Sequence, residues 1–85
     1  MTDLFDTYYD SFGHEIHIGD PVMGETSNYF IYGHIINFEF DKNNNVKYVI
    51  KPDIGYKSNK PITLKSKYKI NWKRVYLVTL KKKEV

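Results

Sequence analysis

Three histidines and a set of carboxylates are the first residues in this sequence that could do chemistry. His14, Glu15 and His17 fall within four positions, Asp10 and Asp20 flank them, and His34 stands further along. Zinc sites of the protease type place two histidines at i and i+4 on a helix, so that both imidazoles leave the same face. Here the spacing is i, i+3 in a segment that reads as a strand, which sends the rings to opposite faces. The cluster is therefore read as surface or packing histidines, and Asp10, Glu15 and Asp20 as solvated acids rather than a cation site. No Ser/His/Asp order, nucleophile elbow or glycine-rich phosphate loop is present, and there is no cysteine for thiolate chemistry or disulfides. The expectation is a non-enzymatic protein with no metal and no cofactor.

The second chemistry on offer is charge. From Leu64 to Arg74 the residues alternate at the strand period of two. Leu64, Tyr68, Ile70 and Trp72 fall on one face with Ser66, and Lys65, Lys67, Lys69, Asn71 and Lys73 on the other. Lysines bind phosphates as point charges, so a nucleic acid or another polyanion is the expected partner. The candidate residues are Lys47, Lys51, Lys57, Lys60, Lys65, Lys67, Lys69, Lys73 and Arg74. Periodicity assigns Tyr68 and Trp72 to the core, which leaves a charge stripe without a base reader. A single arginine also speaks for contact with a negative surface rather than base readout. Lysines on a strand face serve a plainer purpose too, since they keep edge strands from pairing with other chains.

The charge is divided along the chain. Residues 1–40 hold seven acids and no Lys or Arg, whereas residues 41–85 hold thirteen bases and three acids. Such asymmetry points to a partner of opposite charge, or to the two halves facing each other within one chain or head to tail in a homodimer. The acidic half is also aromatic, and aromatics are enriched at interface hot spots. A protein-binding role through Phe5, Tyr8, Tyr9 and Phe12, as an adaptor or an inhibitor of a larger host enzyme, is the alternative reading.

The elements that must position these residues read as strands. Alanine, the best helix former, is absent, and Ile, Val, Tyr and Phe are abundant. Residues 14–24 form a first strand with Ile16, Ile18 and Val22, broken at Gly19-Asp20-Pro21. Residues 29–40 form the longest one, with Ile36, Phe38 and Phe40 inward, Asn37 and Glu39 outward, and a bulge or bend at Gly33. Asp41–Asn45 is a hairpin loop of asparagine turn chemistry. Val46–Lys51 returns with Val46, Tyr48 and Ile50 on one face, residues 52–61 are a polar loop, and Val75–Leu80 is the last strand. Residues 1–13 are an arm or a short helix, with Phe5, Tyr9 and Phe12 at i, i+4, i+7, and residues 81–85 a mobile basic tail.

At 85 residues the chain forms one domain with a modest core. Five or so short strands with Gly and Pro at the corners predict an all-β fold, a small antiparallel five-stranded barrel or strongly bent sheet over residues 14–80. No apolar run is long enough to span a bilayer and the acidic start lacks a signal-peptide pattern, so a cytoplasmic protein without membrane contact is expected.

The run His17-Ile18-Gly19-Asp20-Pro21-Val22 resembles the Gly-Asp-x-Val entry to the first strand of Src-homology-3-like small barrels, including KOW-type domains. Gly33-His34-Ile35 is similar to the Gly-x-Ile/Val step of their second strand, and Lys73-Arg74-Val75-Tyr76-Leu77-Val78 to their closing strand. The interval from Gly19 to Gly33 is long for a KOW motif, and asparagines stand where the hairpin glycine is usual. The resemblance implies a barrel that binds nucleic acid, peptide or protein, among which the fold alone does not choose. In size and composition the chain also resembles small accessory proteins of A/T-rich bacteriophages.

Overall fold

The computed structural model describes residues 7–78. Phe5 and the tail at 81–85 lie outside them. Strand β1 (Tyr8–Tyr9) pairs antiparallel with β2 (Glu15–Ile16), with Tyr8 opposite Ile16. Between them the chain turns at Ser11–Gly13, and Gly13 takes φ +89°, a conformation open to glycine at no steric cost. The described part of the arm is thus strand and turn, not helix. Its end is fixed by Asp10, whose carboxylate gathers the N–H groups of Phe12 and His14, offering the backbone an alternative to helical hydrogen bonds.

The main sheet is built on β4 (Phe30–Phe40) and β5 (Val46–Lys57). β3 (Pro21–Glu25) pairs with β4 and, on its other edge, with β8 (Val75–Leu77). The far edge of β5 carries β6 (Lys60–Pro61) and β7 (Tyr68–Asn71). Every pairing is antiparallel, and one path of five strands runs β7-β5-β4-β3-β8. A 3-10 turn at Trp72–Arg74 joins β7 to β8, the two ends of that path. Four strand spacings of about 4.8 Å would separate them by about 19 Å in a flat sheet. Three turn residues at about 2 Å rise cannot cover that distance, so the sheet curls.

The described residues are all-β and antiparallel, as the sequence predicts, but a closed five-stranded barrel is not what they form. The described residues make eight strands in two sheets, and no ladder joins β7 to β8. The polar loop expected at 52–61 is instead strand. β5 continues through Pro52 to Lys57 and turns back at Ser58-Asn59, both at positive φ (52° and 71°), the pattern of a two-residue type I′ hairpin. Pro52 is tolerated because it sits opposite Gly33 where the ladder shifts register. The expected strand at Leu64–Arg74 shrinks to Tyr68–Asn71, the stretch that finds a partner on β5. The expected strand at 14–24 divides at Gly19, and Ile18 is exposed.

One core lies against the inner face. It contains Ile16 from the small sheet and Val22, Ile31, Ile35, Tyr48, Ile50, Tyr68, Ile70 and Val75 from the large one. Tyr8 stacks on Phe38 with ring centroids 3.9 Å apart, edge-on to Tyr48, and so joins the arm to the core. Burial pushes the Tyr48 hydroxyl up to about 12, despite the bond it donates to the Tyr9 carbonyl; the neighbouring Tyr8 and Asp10 add to the shift.

Candidate nucleic-acid interface

Two irregularities decide which side chains meet solvent. Along β4 the inward set is Ile31, Gly33 and Ile35, and the outward set Phe30, Tyr32 and His34. At Ile36 the ladder shifts, since Ile35 faces Ile50 and the next pair is Asn37 with Val49. Ile36 is the extra residue and is exposed; Phe38 turns inward; Phe40, expected inward, is 58% exposed at the strand end. On β5 the extra residue is Asp53, between Pro52 (opposite Gly33) and Ile54 (opposite Tyr32). Each single-residue bulge reverses the alternation beyond it, so Ile54 and Tyr56 leave by the face that Lys47 and Lys51 occupy before the bulge. Val49 shares that face yet is buried, between Asn37 and Lys69.

The outer face consequently has two halves. The aromatic half has one row of Ile54, Tyr32, Met23 and Tyr76, directly paired across β5, β4, β3 and β8, and a second row of Pro61, Tyr56, Phe30 and Glu25. Phe12 packs beside Tyr76 with ring centroids 5.2 Å apart and remains 72% exposed. With Met23, Glu25 and Phe30 these two rings line an open groove of about 520 Å³. Singly exposed apolar residues are ordinary, but a contiguous patch of this kind marks an interaction surface.

The other half is polar. Lys47 sits between Glu39 and Asn71, and Lys51 opposite His34. Glu39 reaches across to Lys69, 3.0 Å from its Nζ, so part of the lysine comb is neutralised by the acidic half of the same chain. His34 and Asp53 pair at 3.1 Å where the two halves meet.

The remaining predicted lysines are spread out. Lys57 and Lys60 face each other at the hairpin tip. Lys65 lies 5.5 Å from the centre of the Tyr68 ring, and Lys73 5.9 Å from that of Trp72, both at cation–π distance. Lys67 is exposed in the irregular stretch before β7, and Lys73 and Arg74 project from the 3-10 turn. Among the proposed protein-binding residues, Tyr8 is taken up by packing, whereas Tyr9 and Phe12 are exposed.

The carboxylates and histidines are placed differently from expectation in one respect. Asp10 is fully buried, not solvated. Its oxygens accept the N–H groups of Phe12 (2.9 Å), His14 (2.8 Å) and Leu77 (2.8 Å), and His14 Nδ1 lies 3.2 Å away. Burial alone would push the carboxyl up, but these hydrogen bonds outweigh it and hold it below the usual carboxylate value. Glu15 and Asp20 instead contact His17, at 2.9 Å through its Nε2 and at 2.8 Å through its backbone N–H. Among the described residues no three His, Cys, Asp or Glu side chains are arranged to hold a metal ion, and no helix is long and apolar enough to cross a membrane.

The exposed rings Phe30 and Tyr32 had a signal in the sequence, since aromatics at 30 and 32 alternate with β-branched Ile31, whereas the outward Tyr56 and Tyr76 are half-buried. Comparison with known proteins adds nothing to this geometry, since no family model, no curated protein and no solved structure matches the chain.

Proposed function

We propose that the protein is a non-enzymatic binding module that contacts nucleic acid, or a related polyanion, through the outer face of its large sheet. The observation that carries this reading is the outer face of β5, which places Lys47 and Lys51 in line with Ile54 and Tyr56 on either side of the Asp53 bulge. Lysines supply phosphate contacts and exposed rings supply surfaces for bases, the two components of sequence-tolerant binding. The strand path with a 3-10 turn between its end strands supports reading the sheet as an open Src-homology-3-like fold.

A second reading, protein binding as an adaptor or inhibitor, is favoured by one observation. Phe12, Tyr76 and Met23 form the apolar end of the face, away from the lysines of β5.

The tagged protein, recovered from a cell lysate with and without nuclease treatment, separates the two. Nuclease-sensitive nucleic acid in the wild-type sample, lost when Lys47, Lys51 and Lys69 are changed to Glu, is the expected result. A defined protein retained after nuclease treatment, and lost with Phe12→Ala, would replace it by the second reading.

A further inference from the structure

We infer that the ligand of this face is single-stranded nucleic acid, with bases on Phe30, Tyr32 and Tyr56 and the backbone along Lys47 and Lys51. This rests on the polyanion reading above and narrows it. Lysines alone would take any phosphate chain, double-stranded or single. The rings change the preference, because a duplex keeps its base faces stacked inside while an unpaired strand can offer them.

The ring geometry leaves room for bases. Phe30 meets Tyr32 edge-on, with centroids 5.9 Å apart and planes at 89°, and meets Tyr56 at 6.5 Å and 46°. None of these pairs is face to face, unlike Tyr8 on Phe38 at 3.9 Å and 13° in the core. Ring faces that would be consumed in a mutual stack are therefore not used by one another. The three rings sit on adjacent strands, Tyr56 opposite Phe30 and Tyr32 two positions further along β4. Successive bases can thus find successive rings.

The surrounding charge favours phosphate. The two acids nearest the rings are engaged by neighbours, Glu25 by the Tyr76 hydroxyl at 3.0 Å and Asp53 by His34 at 3.1 Å. On the same face Lys51 is exposed and Lys47 half-buried, and neither forms an ion pair with a described carboxylate. An apolar protein partner would bring no charge to answer these lysines, whereas a phosphate backbone answers both.

Fluorescence anisotropy with a labelled oligothymidylate and a labelled duplex of equal length tests this. The single strand should bind at least about tenfold more tightly than the duplex. Phe30→Leu and Tyr56→Leu keep an apolar side chain at each site, so the fold is preserved. Each should lower single-strand affinity roughly 5- to 100-fold, the range for losing one stacking ring, and leave duplex binding unchanged. Lys47→Gln with Lys51→Gln should weaken both ligands. Equal affinity for the two ligands, with wild-type binding by the leucine variants, would overturn the single-strand inference while the polyanion reading stands. Binding of neither ligand at low salt would overturn both.

Discussion

The backbone N–H of Leu77 donates to Asp10 Oδ2 at 2.8 Å, across 67 positions of sequence. A second link runs beside it, from the Ser11 N–H to the Val75 carbonyl at 2.9 Å. Together they fasten the N-terminal arm to the last strand and hold Phe12 against Tyr76, so the aromatic face depends on a buried carboxylate. Asp10→Asn removes the charge that Leu77, His14 and Phe12 share. It should cost about 2 kcal/mol or more in urea unfolding, because charge-assisted hydrogen bonds are lost and buried donors are left poorly paired.

The same carboxylate gives a pH dependence of known sign. Its folded-state value lies below the ordinary 3.8. The stability it contributes is therefore present above the unfolded value and lost as pH falls through the folded one. The difference in urea midpoint between wild type and Asp10→Asn should be constant near neutrality and shrink below about pH 4. A difference that stays constant into strong acid would contradict the assignment.

Gly33 lies against the main chain of β5. A Cβ built there would collide with the Lys51 carbonyl oxygen and Pro52 Cα, which cannot move without opening the ladder. Gly33→Ala should destabilise by roughly 3 kcal/mol or more, at the upper end of overpacking costs. At Gly24 the obstructing atom is the end of the Ile70 side chain, 2.5 Å away, which can swing aside. Gly24→Ala should therefore cost less, about 1–2 kcal/mol. Thermal unfolding of the two variants side by side checks the order.

Glu39 holds Lys69 away from any ligand. As both groups are partly exposed to solvent, Glu39→Gln should change stability by less than about 1 kcal/mol. It should also strengthen nucleic-acid binding and steepen the salt dependence by about 0.7, one released counterion's worth on a single strand. Unchanged affinity in isothermal titration would place Lys69 outside the interface.

The fold class was legible because it rests on composition and on a period of two, both local. The break at Gly19-Asp20-Pro21, the turn at Asp41–Asn45 and the irregularity at Gly33 all announced themselves through residues with distinctive backbone preferences. What could not be read was phase. Ile36 and Asp53 are unremarkable in sequence, and each reverses the faces of everything beyond it. That is why Ile36 was expected inside and the outward rings of Phe30 and Tyr32 went unseen; Phe40 keeps the inward phase opposite Val46 and is exposed because the strand ends there, and Tyr56 lay in a stretch that reads as loop. Asp10 was misplaced for a similar reason, as its main partner lies at the far end of the chain. The lysines were found as residues but not as a surface, because the comb at 64–74 is a strand only where β5 pairs with it.

The most direct test of the central claim, that the outer face is a nucleic-acid interface, is a salt titration of oligothymidylate binding. If Lys47 and Lys51 meet phosphates while Glu39 holds Lys69, the slope of log K against log salt should be about −1.4. Changing Lys47 and Lys51 to Gln together should bring it close to zero. No measurable binding at low salt, or a slope indifferent to these substitutions, would contradict the account.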